Sequence, residues 1–170
     1  VRERYGIRAP YIFYLGNFKP HKNVQALLRA FAILPGDLKS RCQLVLGGRF
    51  DYWQGQLGLL AHKLSIAERT LFIGQVEEED MAALYSGADV FVFPSLSAGF
   101  GLPPLEAMAL GCPVAASDIP PLREACGEAC IFFDPDDPEE IAERVLGLSN
   151  NEVQRLQLGN AGREVTRNLT

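Results

Sequence analysis

The segment at residues 94–104 carries the glycine pattern best suited to ligand chemistry. Gly99 and Gly101 flank Phe100 directly before a stretch with helical spacing. Glycines let a ligand approach the backbone closely, and the free N–H groups at a helix N-terminus attract anions. Glu106 follows, where its carboxylate would either favour the helix dipole or accept hydrogen bonds from a ribose diol. The glycine pair alone is weak support, because it lacks the third glycine of the dinucleotide-binding fingerprint.

Two further segments have residues that suit an anionic, nucleotide-like ligand. Residues 16–23 read GNFKPHKN and place Lys19, His21 and Lys22 around one turn before a helix. They suit either a phosphate site, with lysine as the point charge, or an ordinary solvated basic loop. Val76 follows another apolar segment, where the backbone would either contact a nucleobase edge or form a plain turn.

Short apolar runs alternate with amphipathic segments along the whole chain. This alternation predicts a parallel sheet with helices on both faces, in a single Rossmann-like α/β domain. Asn23 is the expected N-cap of the first long helix. Ligands of such folds bind beyond the carboxyl ends of the strands, which selects the loops at 16–23, 47–53, 74–79 and 94–104. The predicted strands number about six, at residues 11–15, 43–46, 70–73, 90–93, 113–116 and 130–133. The predicted helices lie at about 24–31, 54–64, 77–88, 105–110, 137–148 and 151–169.

Composition excludes several classes of protein. The chain has 170 residues and a net charge of −5, whereas a dedicated nucleic-acid binder usually carries a basic excess. No apolar run reaches the roughly 18 residues of a membrane span, and no signal peptide opens the chain. The cysteines lack a C-x-x-C spacing, so we interpret them as small buried residues in a reducing, cytoplasmic location.

Five motifs in order carry a resemblance to a known family. They are GNFKPHKN at 16–23, DVFVFPS at 89–95, GFGLPPLEA at 99–107, GCPV at 111–114 and DPDD at 134–137. The chain resembles the C-terminal, donor-binding half of the retaining glycosyltransferases of family 4, which have the two-domain GT-B architecture. The similarity extends over about residues 10–148.

The resemblance implies a role for each matching position. Lys22 matches the residue that binds the donor diphosphate and stabilises the leaving group, and Glu106 matches the carboxylate that holds the ribose. The backbone of Val76 matches a contact to the base, and Gly101 and Leu102 match amides near the leaving phosphate and the sugar. The implied donor site as a whole consists of Gly16, Asn17, Lys22, His21, Val76, Ala98, Gly99, Phe100, Gly101, Leu102 and Glu106.

Two positions depart from the family pattern. The family usually has glutamate eight residues before the ribose glutamate, where this chain has Ala98. It often has arginine after the first glycine, where this chain has Asn17. A related subgroup also lacks that arginine, so the change at Ala98 is the more consequential one. It leaves open a degenerate module that binds a nucleotide sugar without transferring it, and a GT-B nucleotide-sugar epimerase is a further alternative.

The function implied is transfer of a hexosyl group from a nucleotide diphosphate sugar to a glycan or lipid-linked acceptor, with retention and without an obligatory metal or cofactor. The loop at 20–23, PHKN, resembles that of mannosyltransferases of polysaccharide assembly, which makes GDP-mannose the candidate donor. Residues 1–170 are then expected to be the C-terminal domain alone, without its N-terminal acceptor domain and inactive by itself. The terminal helix at 151–170 would cross toward that domain. The full enzyme is expected at the inner face of the membrane, as a peripheral protein with no transmembrane segment and no nucleic-acid partner.

Overall fold

Six parallel strands form one sheet in the computed structural model, which describes residues 1–99 and 102–169, with only the backbone of Leu102. The strand order is β3-β2-β1-β4-β5-β6, and helices cover both faces. This confirms the Rossmann-like domain and the number of strands expected from the sequence. The strands are β1 Tyr11–Leu15, β2 Gln43–Gly47, β3 Thr70–Gly74, β4 Val90–Phe93, β5 Val114–Ser117 and β6 Ile131–Phe133.

The helices alternate with the strands, as the amphipathic segments predict. Three short 3₁₀ turns, at Pro20–Lys22, Ala67–Arg69 and Gly127–Ala129, join neighbouring elements. No helix in the described residues is both long enough and apolar enough to cross a membrane. The helices are α1 Arg2–Tyr5, α2 Val24–Ala32, α3 Gly36–Arg41, α4 Tyr52–Lys63, α5 Glu78–Gly87, α6 Leu102–Ala109, α7 Pro120–Cys126, α8 Pro138–Ser149 and α9 Glu152–Arg167.

Local sequence explains where several helices begin. The Asp137 carboxylate accepts hydrogen bonds from the backbone N–H groups of residues 139 and 140, and Pro138 occupies the first helical position of α8. The Asn151 side chain caps α9 in the same way, by accepting from the N–H of Gln154. α4 starts earlier than expected because the Asp51 carboxylate caps it. The starts of α8 and α9 lie within one residue of the predicted ones, because such caps depend on neighbouring residues only.

Besides α4, four helical segments of the described residues differ from the sequence-based expectation. α1, α3 and α7 lie where the sequence predicted no helix. α6 begins at Leu102 rather than at Leu105. Glu106 is therefore the fifth residue of this helix and not part of its first turn. The helix dipole therefore stabilises the Glu106 carboxylate less, since the effect of the dipole is confined to the first turn.

The strand order reverses direction between β1 and β4, at the centre of the sheet. Both strands are nearly fully buried, and Phe13 on β1 meets Phe91 on β4 edge-on, with ring centres 5.9 Å apart. In open α/β sheets, ligands bind outside the carboxyl ends of the strands at such a reversal. The loops that follow β1 and β4 therefore flank the candidate site.

The last helix packs back onto the same domain. Gly159 and Gly162 of α9 are buried, and a side chain at Gly159 would collide with the carbonyl oxygen of Gly111. Gly162 lies in the same way against Met108 of α6. The predicted terminal helix is present, and its crossing toward a second domain stays a prediction.

Candidate functional site

Glycines at the ends of β1, β2 and β3 bring three loops into direct backbone contact. The N–H of Gly16 donates to the carbonyl of Gly47 at 3.0 Å, and the N–H of Gly48 donates to that of Gly74 at 2.9 Å. A Cβ at Gly48 would collide with the carbonyl oxygen of Gly16, so only glycine permits this approach. The loops thus form one continuous floor at the carboxyl edge of the sheet.

An open cleft of about 500 Å³ lies above this floor. Three residues predicted for the site, Gly16, Asn17 and Val76, line it together. Five of the other lining residues lie in the loops at 16–23, 47–53 and 74–79 that the sequence selected, although the sequence assigned none of them a place in the donor site. The lining comprises Leu15, Gly16, Asn17, Lys19, Gly48, Arg49, Asp51, Gln75, Val76 and Met81.

Lys22 lies at the other side of the loop after β1. Its ammonium nitrogen is 5.4 Å from the centre of the Phe93 ring at the end of β4, within the range of a cation–π contact. Within the described residues it forms no ion pair with a carboxylate. Partial burial lowers the pKa of Lys22, because desolvation disfavours the charged form. The positive charge of Lys22 is therefore not neutralised by a carboxylate of the described residues and can attract an external anion.

The side chain of Asn23 joins three loops at the start of α2. Its side-chain amide donates to the carbonyl of Pro94 at 3.0 Å and to that of Pro135 at 2.8 Å. Asn23 is the N-cap residue of α2, as expected, but its side chain makes no capping hydrogen bond and its backbone is left-handed, with φ of 62°. Asn23 is buried, so these hydrogen bonds are shielded from water. It therefore holds the Lys22 loop against the loop after β4.

His21 contributes its backbone to the same junction. Its carbonyl accepts hydrogen bonds from the N–H of Leu96 at 2.8 Å and from the hydroxyl of Ser95 at 3.3 Å. The imidazole of His21 is exposed, and its expected contact with a donor stays a prediction. Ser95, which is fully buried, was not identified from the sequence, where it reads as one small residue in a polar loop.

Glu106 is paired with a buried tyrosine. The hydroxyl of Tyr85 on α5 lies 3.3 Å from Oε2 of Glu106 and donates to it. Glu106 itself is exposed, so its carboxylate is accessible to a ligand. The sequence showed Tyr85 only as an apolar position of an amphipathic helix, because the spacing does not reveal where the hydroxyl points.

The glycine-rich loop is described only in part. Ala98 is partly buried against the core, and Gly99 borders a second cavity of about 540 Å³. Phe100 and Gly101 lie outside the described residues, and the backbone of Leu102 begins α6. Their predicted roles near a leaving phosphate stay predictions. The second cavity is lined by Gly99, Leu105, Pro120, Pro121, Glu124, Ala125 and Leu169.

The cysteines are free thiols buried in the core, as their spacing suggested. Burial raises the pKa of Cys42 to about 11 and that of Cys112 to about 12. Both thiols therefore stay protonated near neutral pH and do not serve as nucleophiles.

The sequence of this chain is similar to those of known proteins. The family described as "Glycosyl transferases group 1" matches residues 2–165. The chain is 37% identical over 136 residues to O-antigen chain mannosyltransferase B of Escherichia coli, covering 80% of this chain and 36% of the relative. It is 36% identical over 143 residues to the serotype-specific mannosyltransferase WbdA of Escherichia coli, covering 83% of this chain and 18% of that protein.

The fold of this chain is also similar to that of a solved structure. Sucrose-phosphate synthase from Thermosynechococcus elongatus superposes with a TM-score of 0.88 at 30% identity. The match covers 99% of this chain and 43% of that protein. The chain thus spans less than half the length of each of these three proteins.

Proposed function

Because the chain belongs to the glycosyl transferases group 1 family, we propose that it is the donor-binding domain of a glycosyltransferase. The proposed reaction moves a hexosyl group from a nucleotide diphosphate sugar to a glycan or lipid-linked acceptor, with retention. The observation that carries the proposal is the position of Lys22. This lysine, without a carboxylate partner in the described part of the chain, lies where the loops after β1 and β4 meet at the reversal of the sheet.

The donor would extend along the carboxyl edge of the sheet. The diphosphate is proposed to bind Lys22, and the base to lie in the cleft near the backbone of Val76. Glu106 would accept hydrogen bonds from the ribose hydroxyls, and the sugar would lie toward Gly99 and the start of α6. The accessible carboxylate of Glu106 and the open cleft support this arrangement.

Glycosyl transfer must stabilise the negative charge that develops on the departing diphosphate. A preorganised cation and free helix N–H groups supply this stabilisation without a metal ion. Removing one such donor typically costs roughly 3–4 kcal/mol of transition-state stabilisation. We therefore propose that Lys22 contributes to turnover as well as to donor binding, and that neither a metal ion nor a cofactor is required.

GDP-mannose is the proposed donor, since both curated relatives above are mannosyltransferases by name and one acts on an O-antigen chain. The acceptor would bind mainly to an N-terminal domain, because the chain spans only part of the relatives' length. A lipid-linked acceptor would place the full enzyme in the cytoplasm, at the inner face of the membrane, as a peripheral protein.

Calorimetry of this chain with GDP, UDP, ADP and GDP-mannose tests the proposal. We expect GDP and GDP-mannose to bind most tightly, with the same affinity in excess EDTA as in Mg²⁺. Lys22→Ala should lower the affinity for every nucleotide. Lys63 is an exposed lysine at the end of α4, and Lys63→Ala should lower the affinity for none of them. Failure of all four nucleotides to bind would contradict a donor site in this domain.

A specific observation, alanine at position 98, favours a second candidate function. A domain that lacks the usual glutamate would bind a nucleotide sugar without transferring it. The two functions are separated by turnover of the full-length protein. An inactive parent that gains turnover in Ala98→Glu supports the binding module, whereas an active parent supports the transferase.

A further inference from the structure

Tyr85 is held rigidly beneath the candidate donor site. Its side chain is fully buried, and its ring meets Phe13 and Phe91 edge-on at centre distances of 5.4 Å and 5.2 Å. These phenylalanines belong to β1 and β4, the two strands between which the sheet reverses. Because the ring is packed into the centre of the core, the direction of its hydroxyl is set by the fold itself.

This hydroxyl is directed at the one carboxylate proposed to hold ribose. Its oxygen lies 3.3 Å from Oε2 of Glu106, and Glu106 reaches solvent at the other side. Burial, with the nearby negative charge of Glu106 as a lesser cause, raises the pKa of Tyr85. The phenol therefore keeps its proton and acts as a hydrogen-bond donor to the carboxylate throughout the physiological pH range.

The same face of α5 also reaches the cleft. Met81 lies one helical turn before Tyr85, so the two side chains share a face of the helix. Met81 lines the cleft of about 500 Å³. The residue that donates to Glu106 and a residue that lines the cleft are therefore one helical turn apart on α5, about 6 Å along the helix axis.

We propose that Tyr85 is a positioning residue, which holds the Glu106 carboxylate in the orientation that accepts the ribose hydroxyls of a nucleoside diphosphate. The proposal depends on the donor-binding function given above. A free glutamate on a helix surface samples several rotamers and loses that freedom when it binds a ligand. A hydrogen bond from a rigid phenol removes much of this entropic cost in advance, and preorganisation of this kind raises affinity.

The alternative is that Glu106 merely satisfies a buried hydroxyl, with no effect on a ligand. The two roles differ in one measurable property. If Tyr85 positions Glu106, removing its hydroxyl weakens the binding only of ligands that carry ribose hydroxyls. If the role of Tyr85 is purely structural, the removal affects the binding of all nucleotides equally or not at all. GDP and 2′,3′-dideoxy-GDP are therefore the matched probes.

The experiment compares Tyr85→Phe with Tyr11→Phe by calorimetry. Tyr11 is a suitable control because it is also buried and its hydroxyl donates to the carbonyl of Leu84, in the same aromatic cluster. We expect Tyr85→Phe to lower the affinity for GDP about fivefold, the equivalent of one net hydrogen bond, and to leave the affinity for dideoxy-GDP unchanged. Tyr11→Phe should change neither affinity. In the background of Glu106→Ala, Tyr85→Phe should have no further effect.

The outcomes separate the two proposals. If the parent chain binds neither GDP nor any other nucleoside diphosphate, the donor-binding function is wrong and the role of Tyr85 falls with it. If the parent binds GDP and Tyr85→Phe changes nothing, or weakens both probes equally, only the role of Tyr85 is overturned. Should the phenylalanine variant not fold, Tyr85→3-fluorotyrosine gives the same test. Its ¹⁹F resonance should shift with GDP and not with dideoxy-GDP, and equal shifts would overturn the proposal.

Discussion

The ammonium of Lys22 lies 5.4 Å from the centre of the Phe93 ring, so that a cation from the loop after β1 rests on the last residue of β4. The ring shields one side of the charge from water without neutralising it. This partly desolvated cation, at the reversal of the sheet, is the feature that most strongly favours an anionic ligand. Because this cation can lose its proton, the affinity of the site for an anionic ligand should depend on pH.

Nucleotide affinity should fall as the pH rises, beginning below the range in which an ordinary lysine titrates. Burial lowers the pKa of Lys22, and only the protonated form attracts a diphosphate, so loss of the proton weakens binding. Calorimetry between pH 7 and pH 10 measures this decline. Lys22→Arg, which stays charged over that range, should flatten the profile. A decline of the same size in parent and arginine variant would assign the pH dependence to another group.

Loss of the Asn23 side chain should destabilise the protein. Asn23→Gly removes both hydrogen bonds and leaves two carbonyls without a donor, at an expected cost of about 1–3 kcal/mol. Asn23→Ala should cost a further ~1 kcal/mol or more, because the left-handed backbone at φ 62° disfavours alanine. Urea unfolding of the two variants measures both effects. Equal stability of glycine and alanine variants would contradict the backbone contribution.

Two helical glycines should respond in opposite directions to alanine. Gly159→Ala places a methyl group against the carbonyl of Gly111 and should destabilise the packing of α9 by roughly 1–3 kcal/mol. Gly147→Ala, in α8 with no atom near the new methyl group, should stabilise by about 0.5–1 kcal/mol. Thermal unfolding of the pair tests the prediction. Stabilisation by both substitutions would indicate that α9 does not pack tightly on the end of α6.

The cysteines should resist thiol reagents in the folded chain. All four are buried, and the raised pKa values of Cys42 and Cys112 keep those thiols protonated. An excess of a disulfide reagent at pH 8 should label none of them within minutes, and all four in strong denaturant. Rapid labelling of the folded chain would show that part of the core opens readily.

Local and long-range features differ in how well the sequence predicts them. β1 has the predicted bounds, residues 11–15, because an apolar run ended by glycine is a local signal. The cap at Asp137 is equally local. α6 begins three residues before its predicted start, since the prolines at 103–104 obscure the helical spacing. The motif at residues 99–107 is also local, and it indicates the family without any knowledge of tertiary contacts.

The sequence by itself determined the alternation of strands and helices, the anion-competent loops and the family. Tertiary structure alone decided which loops meet and what each polar side chain contacts. Asn23 is the helix N-cap that the sequence predicts, but its side chain joins residues 94 and 135. Tyr85 reads as an apolar position and instead donates to Glu106. The physical reason is that helix and strand formation depends on residues a few positions apart. Contacts across the carboxyl edge of the sheet depend instead on the strand order, which brings distant parts of the chain together.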